Sequence, residues 1–173
     1  NRTFNPAGMY IDEYGNIKFY DGQTDNYIQT HYHLHYTHVF NNHLNFNLSG
    51  HYTRGDGYYE QYQDPLTAWD QNDVSLNYYG LPNVELGDTI IKKTDLIRRM
   101  MMGNDFYGGL FSVNYNQGRW DATIGGGWNK YDGDHFGELI WMRYASMSEP
   151  NEKFYDNTGI KTDANLYAKL NYA

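Results

Sequence analysis

Between Tyr27 and Tyr52 the chain alternates at period two. Ile28, Thr30, Tyr32, Leu34, Tyr36, His38 and Phe40 fall on one face, and Gln29, His31, His33, His35 and Thr37 on the other. Strict alternation over this length predicts a strand with one apolar and one polar side. Asn41-Asn42-His43 supplies turn chemistry. Leu44, Phe46, Leu48, Gly50 and Tyr52 then alternate with Asn45, Asn47, Ser49, His51 and Thr53. Placing Phe40 opposite Leu44 makes the apolar sides coincide and sets His33 opposite His51, which predicts a hairpin.

The pattern recurs downstream. Tyr107, Gly109, Phe111, Val113 and Tyr115 oppose Ser112 and Asn114; Asn116-Gln117-Gly118 is a turn. Trp120, Ala122, Ile124, Gly126 and Trp128 then oppose Asp121, Thr123 and Asn129, and Ala164, Leu166, Ala168 and Leu170 oppose Asn165, Tyr167 and Lys169. Five strands are expected, at about 27–40, 44–59, 106–116, 119–131 and 163–173. Their connections alternate short, long, short, long, with polar segments at 60–96 and 132–161. Long structureless loops are uncommon inside compact domains. In a membrane barrel they are ordinary, because turns are short on one side and loops long on the other.

Composition supports an all-β chain of this kind. It is polar on average, yet 18 % aromatic with 19 Tyr, which is unlike a disordered segment. Phe40, Tyr115, Trp120 and Tyr172 sit near the short turns. Tyr58, Tyr59, Phe106, Tyr107, Trp128 and Tyr131 sit toward the long loops. Two such groups read as the aromatic belts of a bilayer. The polar faces, with Asn45, Asn47, His51, Asp121 and Asn129 among them, would spoil a dry core but suit a wet lumen. The expected fold is therefore an antiparallel transmembrane β-barrel, here an incomplete section of about five strands with two long extracellular loops. Five strands are too few to close, since small barrels need about eight.

Net charge is -8 and cysteine is absent. The acidic balance argues against nucleic acid as a partner. No thiolate chemistry is available, and no nucleophile or metal-hydrolase motif appears, so the chain is not expected to be an enzyme or to need a cofactor.

The runs DNYIQTHYHLHY, HYTRGDGYYEQY, DLIRRMMMGNDFYGGLFSVNYN, GGGWNKYDGDHFGELIWMRYAS and YDNTGIKTDANLYAKLNY resemble the barrel of TonB-dependent receptors of Bacteroidetes-type bacteria. The resemblance covers nearly the whole chain. It implies a barrel of about 22 strands holding a plug domain, in the bacterial outer membrane. It also implies TonB-driven uptake of a scarce small-molecule ligand such as a ferric siderophore, haem or cobalamin. The partners implied are outer-membrane lipid, the receptor's own plug, TonB and, in some systems, a surface lipoprotein. Neither a plug, a TonB box nor a terminal aromatic residue is found in this sequence, so a section of the barrel domain is expected. A soluble, Tyr-rich β-sandwich that binds glycans through its loops is the alternative.

Candidate ligand contacts are the aromatic residues Tyr58, Tyr59, Tyr62, Trp69, Trp141 and Tyr144, which can stack on a ligand, and Arg98 and Arg99, which can meet an anion. His31, His33 and His35, with His51 opposite, have the i, i+2 spacing of a strand-borne metal site. The simpler reading places these four in the lumen, and it is favoured here, with no metal expected. The carboxylates Asp56, Asp64, Asp70, Asp73, Asp88, Asp132, Asp134 and Glu138 can ligate Ca²⁺, but a solvated loop accounts for them as well.

Overall fold

The computed structural model describes residues 7–145, 149 and 151–173. The fold is all-β. Among the described residues the strands are β1 (Met9–Ile11), β2 (Ile17–Phe19), β3 (Asp25–Asn41), β4 (Leu44–Gln63), β5 (Val84–Leu86), β6 (Thr89–Ile91), β7 (Leu96–Gln117), β8 (Trp120–Met142) and β9 (Glu152–Tyr172). One 3-10 turn, η1, covers Leu76–Tyr79. The five long strands form one antiparallel sheet in the order β3-β4-β7-β8-β9. The sheet is open: β3 and β9 are its edges. β1 pairs with β2, and β5 with β6, as separate small hairpins.

The first hairpin has the expected register. Tyr32 stacks on Tyr52, His31 meets Thr53, His35 meets Ser49 and Thr37 meets Asn47, all consistent with Phe40 opposite Leu44. Asn41 Oδ1 closes the turn by accepting from the backbone N–H groups of His43 (2.8 Å) and Leu44 (3.0 Å). The second turn falls one residue later than expected, at Gly118-Arg119. Gly118 has φ +62° while Arg119 does not, the pattern of a two-residue type II′ loop.

The strands are much longer than their alternation suggests. β7 begins at Leu96 rather than 106, β8 runs to Met142, and β9 starts at Glu152. The expected loop at 132–161 is therefore mostly strand. The reason is burial. From Leu96 to Met102 no residue is fully exposed, and 135–140 behaves alike. A strand covered on both sides has no polar face to write into its sequence. At 156–159 the run Asp-Asn-Thr-Gly reads as a turn, yet Thr158 bonds Asp134 across the β8–β9 pair at 2.8 Å. The segment 60–96 is likewise not a plain loop, because it holds the end of β4, η1 and the β5–β6 hairpin.

The chain divides into two compact units. Unit 1 comprises the described parts of 1–27, 57–102 and 135–157; unit 2 comprises 28–56, 103–134 and 158–173. Unit 1 has a conventional core. Leu76, Tyr79, Leu81, Leu96 and Leu139 are buried together, with Val84, Met142 and Phe154 against them. Unit 2 contributes none of the buried large apolar residues. Its strands instead carry two exposed sides of opposite character.

Candidate functional site

In unit 2 the polar sides of β3, β4, β7 and β8 knit into one ladder. Thr37 donates to Asn47 (2.9 Å), Asn47 to Ser112 (3.3 Å), Asn114 to Asn45 (2.9 Å) and Thr123 to Asn114 (3.0 Å). The histidines belong to it. Nδ1 of His31 lies 2.9 Å from Thr53 Oγ1, Nδ1 of His35 lies 2.9 Å from Ser49 Oγ, and Nε2 of His51 lies 2.9 Å from Asn129 Oδ1. Neighbouring rings in the His31–His33–His35 row stand 6.1 Å apart. Each of these bonded imidazoles spends a ring nitrogen on a hydroxyl or amide, and among the described residues no three His, Asp or Glu converge on an ion-sized space. Asp121 lies on the same side of β8 by its spacing from Thr123 and is exposed.

Two aromatics depart from the expected belt. Phe106 packs on His51, ring centres 4.8 Å apart. Phe106 and Tyr131 also line a cavity of about 560 Å³ with Gln29, His31, His33 and Thr53. They face the polar side because the alternation of β7 and β8 puts them in step with Ser112 and Asn129. Tyr107 and Trp128 lie on the other side and meet edge to face at 5.9 Å.

Unit 1 uses the nominated arginines internally. Arg98 is 8 % exposed. Its guanidinium forks onto Asp73 at 2.7 and 3.0 Å, reaches Gln61 Oε1 at 3.0 and 3.1 Å, and donates to the Tyr79 hydroxyl at 3.2 Å. All five of its N–H donors are engaged within unit 1. Arg99 is also committed. Its Nε donates to Glu60 at 2.6 Å and its guanidinium lies 4.6 Å over the Tyr58 ring. Sequence spacing could not reveal this, because Glu60 and Asp73 are 39 and 25 residues away.

The nominated aromatics do not gather at one point but divide between two places, with Trp69 apart from both. Tyr62 sits among Tyr10, Tyr20 and Trp141 and donates to Asp95 at 2.9 Å, where Arg143 also binds. Tyr62 and Tyr144 line a cavity of about 210 Å³ together with Asp95 and Arg143. Trp69 is fully exposed and lines no described cavity. The carboxylates weighed for Ca²⁺ are largely occupied. Asp64 accepts from the N–H groups of Ile11 and Leu66, Asp73 holds Arg98, Asp132 holds Lys130 and Asp134 accepts from Thr158.

Tyr58 and Tyr59 reach a larger space, a cavity of about 450 Å³ in unit 1. Its other walls come from Asp25, Tyr27, Gly57, the Met100–Met102 run, His135 and Tyr155. Gln61 bonds Arg98 across β4 and β7, so alternation puts Tyr59, Met100 and Met102 on that same side. The Tyr155 hydroxyl donates to Met100 Sδ at 3.9 Å. Two glycines let wall residues lie close against the sheet. A Cβ on Gly57 would run into the Asn26 carbonyl and the Tyr27 ring, and one on Gly137 into the rings of Phe154 and Tyr155. Sequence reading missed Met100, Met102, Tyr155 and His135. The signal was the Met100–Met102 run, three adaptable apolar side chains where alternation stops.

Gly57→Ala is expected to cost about 1–3 kcal/mol, because its Cβ meets backbone rather than a movable side chain. Urea titration checks this; an unchanged midpoint would mean that Tyr27 does not lie on Gly57.

Burial and a 2.5 Å hydrogen bond to Glu60 push the Tyr20 hydroxyl up to about 12. The neutral form is thus favoured on folding. Its contribution is intact below pH 10 and fades as pH rises from 10 through 12. Absorbance at 295 nm during alkaline titration is expected to show a late tyrosine step that Tyr20→Phe removes; an unaltered titration curve would refute the assignment.

No family model, curated protein or solved structure matches the chain.

Proposed function

We propose that the chain is a section of an outer-membrane β-barrel receptor. In this reading it serves TonB-driven uptake of a scarce ligand such as a ferric siderophore, haem or cobalamin. The observation that carries the proposal is the two-sidedness of unit 2. One side is the hydrogen-bonded polar ladder. The other leaves Leu34 (72 %), Leu166 (75 %), Leu170 (65 %) and Phe40 (58 %) in the open, together with Ile124 and Leu48. This apolar sheet face, which ends at the Arg54–Asp105 and Lys130–Asp132 pairs, needs a non-aqueous neighbour.

Length favours lipid. The strand segments 28–41, 44–56, 103–117, 120–134 and 158–172 have thirteen to fifteen residues each. A tilted strand needs about 9–11 to cross a bilayer. Rings also gather where interfaces want them: Trp120 and Tyr172 pack at 4.8 Å beside the Gly118 turn, with Arg119 at 5.8 Å from the Tyr172 ring. The glycan-binding sandwich fares worse, because it needs a second sheet over the apolar side. Among the described residues the other two sheets are hairpins of three-residue strands, too small to cover five long ones. On the receptor reading, lipid covers the apolar side and a plug or water fills the polar side. TonB, the plug and any surface lipoprotein then act through the rest of the receptor.

The absence of cysteine makes a direct test available. Single cysteines at Leu34, Ile124 and Leu166 are compared with single cysteines at His33, Ser112 and Asn165, in native outer-membrane vesicles carrying the full chain. A water-soluble maleimide is expected to label the second group and spare the first. Equal labelling of both groups, or absence of the chain from the outer-membrane fraction, would overturn the proposal.

A further inference from the structure

We propose that the 450 Å³ cavity of unit 1 is a binding site for a flat aromatic group that carries a positive charge. The proposal rests on the receptor reading only for what the ligand is bound for. The recognition chemistry stands on the cavity itself.

The walls supply three kinds of contact. Tyr27, Tyr59 and Tyr155 present aromatic surface, and Gly57 and Gly137 let Tyr27 and Tyr155 lie close against the sheet. A space walled by such rings suits a planar guest better than a branched one. Met100 and Met102 add polarizable thioethers that adjust to ring edges. Its volume lies within the usual range for small-molecule sites, about 300–1,000 Å³.

Charge then selects among flat guests. Asp25 is the carboxylate of the lining, and neither Lys nor Arg belongs to it. The nearby Arg99 is held by Glu60 at 2.6 Å. Tyrosine faces are electron-rich and attract cations, so ring and carboxylate act in the same direction. An anionic guest would meet the Asp25 carboxylate and the electron-rich ring faces, with no Lys or Arg of the lining to offset them. The cavity chemistry therefore favours cationic or cation-bearing aromatic ligands over catecholate-like anions.

Three probes with one ring system separate these effects: 1-naphthylmethylammonium, 1-naphthylmethanol and 1-naphthoate. Each is titrated against the full chain in detergent micelles and followed by naphthalene fluorescence and by calorimetry. The ammonium is expected to bind about tenfold tighter than the neutral alcohol, and the carboxylate weakest. Asp25 is exposed, so Asp25→Asn leaves folding alone. It is expected to bring ammonium and alcohol within about twofold of each other, with alcohol binding retained. Tyr59→Leu is expected to weaken all three alike. The proposal is overturned if the carboxylate binds as tightly as the ammonium, or if Asp25→Asn leaves the charge preference intact. Failure here with the expected cysteine labelling pattern removes the cation site and leaves the receptor reading standing. Cation binding without that labelling pattern does the reverse.

Discussion

Replacing Arg98 with alanine is expected to destabilise unit 1 by about 3 kcal/mol. That is the low end of the range of about 3–5 for breaking a buried ion pair, because the Asp73 side chain keeps 23 % exposure. The guanidinium serves three partners at once, Asp73, Gln61 and Tyr79. Removing it leaves the carboxylate short of donors and Gln61 Oε1 without its two. The segment it pins has little strength of its own. η1 is a single 3-10 turn, and Ser75 makes no side-chain cap to it. Yet η1 carries Leu76 and Tyr79 into the leucine core. Loss of the fork is therefore expected to loosen that core, seen as faster amide exchange at Leu76 and Thr94, whose N–H groups bond Lys92 and Val74. Arg98→Lys restores only part, since an ammonium cannot span both partners as a planar fork does. A second readout is spectroscopic. Burial holds the Tyr79 hydroxyl at about 12, and Arg98 pulls against that rise. In the variant Tyr79 is expected to ionise later still. A loss below about 1 kcal/mol, or full additivity with Asp73→Asn, would show that the fork is not a structural unit.

The same residues show what the sequence discloses and what it hides. In unit 2 each strand has one wet and one apolar side, and alternation writes that difference directly into residue order. The hairpin register could be read from Phe40, Leu44, His33 and His51 alone, and side-chain pairs from Tyr32–Tyr52 to Thr37–Asn47 follow it. In unit 1 both sides of β7 and β8 are half-covered. Alternation then carries no information, and no strand pattern is legible from Leu96 to Met102. The candidate site suffered for the same reason. Tyr58 and Tyr59 were identifiable as aromatics near the end of an alternating run. Met100, Met102 and Tyr155 lie in segments whose strand character was invisible, so nothing in the sequence brought them together. Arg98 and Arg99 look free in the sequence because their partners Asp73 and Glu60 lie 25 and 39 residues away.

The sharpest consequence concerns two adjacent residues. Leu34→Arg and His33→Arg introduce the same side chain one position apart. His33 lies in the row with His31 and His35, which meet Thr53 and Ser49; Leu34 lies between Tyr32 and Tyr36 on the opposite side. If unit 2 crosses a bilayer, Leu34 falls near the middle of segment 28–41, where a lipid-facing arginine costs about 2–4 kcal/mol. His33→Arg faces water or a polar plug and is expected to cost less than about 0.5 kcal/mol, as exposed substitutions do. A soluble sandwich predicts a different outcome. An apolar side packed against a second sheet would make Leu34→Arg a core lesion in water as well as in lipid. In a bilayer the Leu34→Arg penalty arises from lipid, so it is expected to vanish when the chain is unable to insert. Urea titration in vesicles of two thicknesses separates the cases. The Leu34→Arg penalty is expected to shrink in thinner bilayers, where snorkelling to the interface is shorter, while His33→Arg stays flat. Equal penalties for the two variants would leave no lipid side to unit 2, and the outer-membrane reading would fall with it.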